Sequence, residues 1–323
     1  MSKAAQLDRD AVRIGDLVIG DGLPVVVVGG QDARWLRLPA ETATVETATT
    51  ETAIIEARAS WAGPLLVEPA SVACLPAVAR HADGVVVGAA WACDSGLVRA
   101  VARLGLPVVL QRGVVGGRTA TLEEWLAAVD DCAAEGNEAI VLCESGGRAE
   151  PEDAAPDLGL MRAARERTGR PALAGLGGDG ALADAAVAAG ADGLLVGPGA
   201  PVRALAAAHE AATVVAAVLR PEAPDTLDGA RGAIDRVDAA LATLLERRAA
   251  LAGRIQRLKP VGGFRGRDME RERRLVAAMA RRAPALGAGL LAPIMNAVIE
   301  AGLRLSEETR DADHGTGSAT GGS

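Results

Sequence analysis

Cationic side chains recur at helical spacing between residues 227 and 308, where their types and positions suit a reaction. Arg248 and Lys259 are eleven residues apart. That distance is three turns of an α-helix at about 3.6 residues per turn, so both side chains project from one face. Arg231 precedes Arg248 by seventeen residues and points about a quarter turn away. It can therefore serve a site on that face only if a second subunit is involved.

A further set of charges opens the next predicted helix. Asp268, Arg271 and Glu272 stand at positions i, i+3 and i+4, which places an ion-paired cluster on one side of the helix. Lysine occurs only at Lys3 and Lys259, and arginine supplies every other cation apart from histidine. A lysine at position 259 indicates a need for a compact ammonium group there; the alternative is an accidental surface lysine.

The charge balance separates this stretch from the rest of the chain. Residues 227–308 carry fifteen Lys and Arg against ten Asp and Glu, whereas the whole chain carries 34 against 42 and a net charge of −8. A basic domain in an acidic protein fits a small dianionic substrate better than a nucleic acid.

These residues resemble the all-helical class of chorismate mutase. The resemblance rests on Arg231-x-x-Ile234-Asp235-x-x-Asp238, Leu244-Leu245-x-x-Arg248, Lys259 and Arg267-Asp268-x-x-Arg271-Glu272. It implies a three-helix domain, an intertwined homodimer or higher homo-oligomer, and the rearrangement of chorismate to prephenate. It also implies that the reaction uses no cofactor, no metal and no covalent step.

The same resemblance implies a role for each site residue. The expected catalytic residues are Lys259, Arg248, Arg271 and Glu272. The expected substrate-binding residues are Arg231, Arg248, Asp268, Arg271, Ser306 and Glu307, with Arg231 reaching in from the partner subunit. Guanidinium groups would hold the two substrate carboxylates bidentately, and the lysine would stabilise charge on the breaking ether oxygen.

The third helix departs from the family. Where the family has a serine and, one turn on, a glutamine or glutamate that hydrogen-bonds the ether oxygen, this chain has Gly302 and Ser306. Glu307 is adjacent and could serve if the register slips by one residue. Either turnover is reduced or the substrate is a related compound, such as isochorismate or aminodeoxychorismate.

Residues 12–218 alternate short Val, Leu and Ile runs with Ala-rich segments of helical period, which predicts a parallel sheet covered by helices. Eight such units indicate a (β/α)8 barrel, so the fold class is α/β plus all-α. The predicted strands are Pro24–Val28, Ala53–Glu56, Leu65–Val67, Gly84–Val87, Pro107–Leu110, Ala139–Cys143, Ala172–Ala174 and Gly193–Val196. Before them, residues 12–19 predict a hairpin with a Gly-Asp turn.

This half resembles the barrel of 3-deoxy-D-arabino-heptulosonate 7-phosphate (DAHP) synthase. The resemblance rests on Leu110-Gln111-Arg112-Gly113, Glu123-Glu124-Trp125, Glu135-Gly136-Asn137, Leu142-Cys143-Glu144 and Ala189-Gly190-Ala191-Asp192-Gly193. Yet the family's catalytic residues are replaced at Gly29-Gly30-Gln31-Asp32, Gln111, Ser145, Gly178 and Gly197. The family's basic loop is replaced by the Glu-Thr-Ala repeat of residues 41–52, which predicts an edge strand or a loop.

A site without its ligands does not bind a divalent metal, and a site without cations binds a phosphate group only weakly. We therefore predict that the barrel is inactive as a DAHP synthase. It would serve as a scaffold or as a regulatory module for a true DAHP synthase partner. The predicted divisions are a barrel at 1–219, a linker at 220–226, the helical domain at 227–308 and a disordered tail at 309–323. No apolar run long enough for a membrane span and no signal peptide are evident, which predicts a cytoplasmic protein with reduced cysteines.

Overall fold

The computed structural model describes residues 11–39, 47–146, 155–178, 180–258 and 267–317, without the side chains of 47–49 and 310–317. The chain divides into two compact units, Met1–Val237 and Asp238–Ser323, and the division falls inside one long helix. The predicted linker at 220–226 therefore belongs to the first unit. There, Arg220 donates a hydrogen bond to Asp192 and Arg236 donates to Glu222.

The first unit is built on an eight-stranded parallel sheet that curls into a near-closed barrel, as predicted. A parallel bridge between Val28 and Ala33 links the two end strands. In order around the sheet the strands are β3 (Val26–Val28), β12 (Gly193–Val196), β11 (Ala172–Leu176), β10 (Ile140–Glu144), β7 (Val108–Gln111), β6 (Gly84–Val87), β5 (Leu65–Glu68) and β4 (Arg34–Arg37).

In the described residues, seven of these strands are followed by helices, which cover the outside of the barrel. The helices are α1 (Thr47–Ala59), α2 (Leu75–His81), α3 (Ser95–Ala102), α4 (Leu122–Ala134), α5 (Leu158–Thr168), α6 (Ala183–Ala188), α7 (Val202–Glu210) and α8 (Ala216–Leu219), of which the last two both follow β12. A 3-10 turn at Val72–Cys74 precedes α2, and a π-helical turn at Ala211–Val215 joins α7 to α8. A short hairpin of β8 (Val114–Val115) and β9 (Arg118–Thr119) precedes α4.

Alternation along the strands divides the apolar side chains between two cores, because successive side chains of a strand point to opposite faces. The inner core fills the barrel and contains Leu66, Val86, Val109, Val141 and Leu173. The predicted hairpin is confirmed as β1 (Val12–Ile14) paired with β2 (Leu17–Ile19), and Ile14 and Ile19 join the inner core. The outer core lies between the strands and the helices.

The predicted strand at Ala53–Glu56 is wrong, because this stretch lies inside helix α1. The buried residues of α1 are Thr50, Ile54 and Ala57, which are four and three residues apart and so share one helical face. The repeat predicted as an edge strand or loop is helical from Thr47, and its first part lies outside the described residues. The strand that completes the barrel is β4, whose Trp35 packs in the inner core.

The second unit is helical, as predicted. The long helix α9 (Leu227–Leu258) enters it from the first unit, and α10 (Met269–Ala280) and α11 (Gly287–Gly317) complete it. Helix α11 continues to Gly317, whereas the sequence predicted a disordered tail from residue 309.

Two helical stretches, Val202–Leu219 and Gly287–Thr309, are long and apolar enough to cross a membrane by length and composition alone. The prediction that no such run exists is wrong by this measure. The first stretch spans α7 and α8 on the outside of the barrel, and core helices of soluble proteins pass the same test. Two such stretches are weak grounds for assigning the protein to a membrane.

A buried ionic network ties the start of β12 to the helices around it. Both oxygens of the Asp192 carboxylate accept hydrogen bonds from Arg165, each at 2.8 Å. Oδ1 also accepts from Arg220 at 2.7 Å, and Oδ2 accepts from the backbone N–H of Ala172 at 3.0 Å. Since Asp192 is 1% exposed, its charge is compensated entirely by these donors and not by water.

Replacing Asp192 with alanine should destabilise the first unit strongly. The change removes the buried carboxylate that Arg165 and Arg220 share and leaves them only the partly exposed Asp21, for which a loss of about 3–5 kcal/mol is expected. Urea unfolding followed by circular dichroism measures the loss. The matched control is Glu123→Ala, which removes the exposed Glu123–Arg167 pair and should leave the midpoint nearly unchanged. Equal midpoints for the two variants would contradict a structural role for the network.

Candidate active site

A cavity of about 240 Å³ lies between the three helices of the second unit. Its charged lining comes from Arg248 of α9 and from Arg267, Asp268, Arg271 and Glu272 at the start of α10. Its apolar lining is contributed by all three helices and consists of Leu251, Ala252, Ile255, Leu275, Ile299 and Leu303. Of the predicted site residues, the structure thus brings together Arg248, Asp268, Arg271 and Glu272.

Local sequence accounts for the position of each charged group. On α9, Arg248, Leu251 and Ile255 are three and four residues apart, so one helical face carries both the cation and its apolar surroundings. Asp268 is the N-cap of helix α10, and its Oδ1 accepts a hydrogen bond from the backbone N–H of Arg271 at 2.9 Å. This N-cap fixes where α10 starts, and hence which residues of its first turn face the cavity.

Two arginines in the cavity remain available to a ligand. Within the described residues, neither Arg248 nor Arg271 forms an ion pair, although both line a cavity that also contains carboxylates. The guanidinium of Arg248 makes one long hydrogen bond, from Nη1 to the carbonyl oxygen of Val298 at 3.4 Å. A guanidinium has five N–H donors, so most of those on Arg248 remain free for a planar anion.

The carboxylate of Glu272 is bound by a third arginine. Arg267 donates from Nε to Oε1 at 3.0 Å and from Nη2 to Oε2 at 2.6 Å. The hydrogen bonds with Glu272 raise the pKa of the Arg267 guanidinium above its usual value. The cavity therefore combines the Arg267–Glu272 pair with two arginines that form no ion pair within the described residues. Its three arginines exceed its two carboxylates, which suits a small anion that also carries a hydrogen-bond donor.

Gly302 is buried against α9, so its lack of a side chain leaves room beside the cavity. A Cβ atom at this position would lie 3.5 Å from Cβ of Ala252 and 4.0 Å from Nη1 of Arg248. These are ordinary contact distances. A small side chain would therefore fit here and would sit next to a guanidinium that faces the ligand.

Ser306 and Glu307 do not line this cavity. Ser306 lies on the turn after Leu303 and donates its hydroxyl to the carbonyl oxygen of Gly302 at 2.8 Å. It borders a second cavity of about 360 Å³ between α9 and α11, and Gln256 borders both cavities. The contact of either residue with the substrate stays a prediction.

Two further predicted residues stand apart from the described cavity. Lys259 lies outside the described residues. Arg231 belongs to the part of α9 in the first unit, where it is exposed and contacts Asp228 at 3.4 Å. The sequence did not predict that Arg267 or the apolar residues line the cavity. Ile299 and Leu303 are one helical turn apart, and this spacing could have indicated a face of α11 that points inward.

At the carboxyl end of the barrel strands, the buried Arg112 and the partly exposed Arg37 are both paired with carboxylates. Arg112 Nη2 donates to Glu144 Oε1 at 2.8 Å, its Nε donates to the other oxygen, and its Nη1 donates to the carbonyl oxygen of Ala120 at 3.1 Å. Arg37 donates to Glu68 at 2.8 Å. Burial raises the pKa of the Glu68 carboxyl, and the hydrogen bond from Arg37 opposes this effect.

The other polar residues of this end are Gln111 and Ser145. Oε1 of Gln111 accepts a hydrogen bond from the backbone N–H of Ala89 at 3.1 Å and faces the Ser145 hydroxyl at 3.4 Å. In the described part of the chain, no three His, Cys, Asp or Glu side chains form a group that could hold a metal ion. Of the four free cysteines, Cys74, Cys132 and Cys143 are buried and Cys93 is exposed.

Comparison with family models finds one matching domain in each part of the chain. Residues 230–307 match the family described as chorismate mutase type II, and residues 54–170 match the DAHP synthetase I family. The chain thus has a chorismate mutase type II domain towards its C-terminus and a DAHP synthase I domain before it, which confirms both predicted resemblances.

Two solved structures of DAHP synthase from Thermotoga maritima are similar to this chain, one of them a truncated form. Each is 26% identical over 58% of this chain, with a TM-score of 0.48. The similarity covers 79% of the truncated form and 63% of the other chain. No curated protein matches the chain.

The N-cap of α10 should respond to acid. The hydrogen bond from the Arg271 backbone lowers the pKa of Asp268 below its usual value of 3.8. The pKa of Asp268 is lower in the folded protein than in the unfolded chain. The contribution of the cap to helix stability is therefore present above the unfolded pKa and is lost as pH falls through the folded pKa. Helix content followed by circular dichroism from roughly pH 5 to pH 2 should therefore fall more in the wild type than in Asp268→Asn, which keeps an uncharged acceptor. Superimposable acid titrations would contradict this assignment.

Proposed function

We propose that the second unit is a chorismate mutase that converts chorismate to prephenate, and that the barrel is a scaffold or regulatory module without DAHP synthase activity. The observation that carries the first part is that Arg248 and Arg271 form no ion pair within the described residues and line the cavity of the segment that matches chorismate mutase type II. The reaction is a Claisen rearrangement, which breaks an ether C–O bond and forms a C–C bond within one molecule.

Each group in the cavity has a place in this reaction. Arg248 and Arg271 bind the two substrate carboxylates and hold the molecule in the folded conformation that brings the reacting carbons together. Glu272 accepts a hydrogen bond from the ring hydroxyl. Lys259 is proposed to stabilise the negative charge that develops on the ether oxygen, as the resemblance implies. The apolar side chains exclude water and strengthen these electrostatic interactions.

Gly302 favours an altered substrate as the second candidate. The room that a small side chain would fill beside Arg248 would take a ring substituent at a different position, as in isochorismate or aminodeoxychorismate. Incubating the purified protein with each of the three compounds, followed by chromatography of the products, tests both candidates. Conversion of chorismate to prephenate supports the mutase, and conversion of either other compound alone favours the second candidate.

Replacing Arg248 with alanine should lower kcat/KM by several orders of magnitude. The change removes a bidentate contact that contributes about 3–5 kcal/mol to binding the transition state. Steady-state kinetics measures the loss, and Arg274→Ala is the matched control, because Arg274 forms an exposed pair with Glu270 on α10. A loss of less than about tenfold for Arg248→Ala would place the reaction elsewhere.

The proposal for the barrel is supported by its internal ion pairs. Arg112 is bound through two hydrogen bonds by Glu144, so its charge is already compensated and its donors are occupied. Arg37 is also paired, and it donates one hydrogen bond to Glu68. A phosphorylated substrate would have to displace a buried carboxylate to bind either group, which is unfavourable.

We expect no DAHP to form from phosphoenolpyruvate and erythrose 4-phosphate with any divalent metal supplied. The reason is the loss of the family's metal ligands and basic loop from the sequence, together with the engaged Arg112. A colorimetric assay against a no-enzyme control measures product formation, and metal-dependent product would contradict the proposal. Adding a catalytic DAHP synthase to the mutase assay tests the regulatory role: a higher mutase rate would support it.

A homodimer is proposed because the helical unit of one chain leaves much apolar surface exposed. Leu241, Leu244, Leu245, Leu251 and Ile255 of α9 are each at least 37% exposed. Exposed apolar surface of this extent in a long helix is typical of an interface. A second chain would cover it and would bring its Arg231 to the site.

Mixing Arg231→Ala chains with Arg248→Ala chains should restore part of the activity that each variant lacks. In a heterodimer, one of the two shared sites would contain both wild-type arginines. Activity is measured before and after joint unfolding and refolding, and each variant refolded alone is the control. A monomer of full activity in light scattering would contradict the shared site.

The cytoplasmic location predicted from the sequence is likewise part of the proposal. It is supported by the match of both domains to families of soluble biosynthetic enzymes.

A further inference from the structure

Arg267 is a cavity residue that has no role in the reaction proposed above. It binds Glu272 through two hydrogen bonds, and the two side chains are only 17% and 18% exposed. A guanidinium that makes two parallel hydrogen bonds to a carboxylate fixes both the position and the direction of that carboxylate.

Helix α11 holds Arg267 from the other side. Its Nη2 also donates to Oδ1 of Asn296 at 2.8 Å, and its Nη1 approaches Oε1 of Glu300 at 3.5 Å. Asn296 in turn donates to the same Glu300 oxygen at 2.9 Å. The guanidinium is therefore oriented by two helices, and its orientation is passed on to Glu272.

We propose that Arg267 is a positioning residue for Glu272. It holds the carboxylate as a hydrogen-bond acceptor directed at a donor on the substrate ring, and it keeps that carboxylate from neutralising Arg248 and Arg271. This inference rests on the proposed function and adds the residue through which Glu272 acts. It also limits the substrate class, because an ionised carboxylate can only accept and therefore selects a ring that carries a hydroxyl or amino group.

The test is a double-mutant cycle of Arg267→Gln and Glu272→Gln, with kcat and KM measured separately on chorismate. If Arg267 acts through Glu272, each single change lowers kcat/KM by about tenfold or more. The double variant then has about the same kcat/KM as the less active of the two single variants. Arg267→Lys keeps one of the two contacts and should recover part of the loss. The matched control is the exposed Arg274–Glu270 pair on the same helix, where Arg274→Gln should change neither constant.

Additive losses in the cycle would overturn the inference, because a residue that only anchors α10 to α11 harms activity whether or not Glu272 is present. If Arg267→Gln does not fold, as judged by circular dichroism, the same cycle is run with Arg267→Lys. If the wild type does not turn chorismate over, the proposed function fails, and the cycle is measured on the affinity for chorismate by calorimetry. Coupling in affinity would support the positioning role, whereas additive affinities or no binding would overturn it.

Discussion

The ion pair between Arg267 and Glu272 determines which charges in the helical unit remain available to a ligand. Three arginines and two carboxylates line one small cavity, and opposite charges at such short range would otherwise pair with one another. Because Arg267 binds Glu272 bidentately and Asp268 caps α10, both carboxylates have defined partners. Arg248 and Arg271 keep their hydrogen-bonding capacity as a result.

The first unit uses the same ionic chemistry to the opposite effect. Arg112, Arg165 and Arg220 are each engaged by a carboxylate that is fully buried, either Glu144 or Asp192. These pairs hold strand ends to the surrounding helices and loops, and they leave few donors for a ligand. An arginine therefore indicates a binding site only when no nearby carboxylate already satisfies it, which composition alone does not reveal.

The barrel also separates what apolar patterning predicts from what it misses. Seven of the eight predicted strands overlap barrel strands, because runs of Val, Leu and Ile have few other places to be buried. The remaining strand, β4, reads Arg-Trp-Leu-Arg, and its charged ends hide the inward position of Trp35. The β-prone threonines after it join a helix, since Ile54 and Ala57 can be buried on one face only in that conformation.

For the helical unit, the sequence by itself determined the direction of each side chain around its own helix axis. The spacing of Arg248 from the apolar residues of α9 and the grouping of Asp268, Arg271 and Glu272 follow from about 3.6 residues per turn, a local property of the backbone. Only the tertiary structure decided which neighbour each group meets: Arg267 meets Asn296 of α11, and Ser306 borders a second cavity instead of the first. These contacts depend on the position of one helix against another, which is set by the packing of many side chains together and is not written in any single spacing.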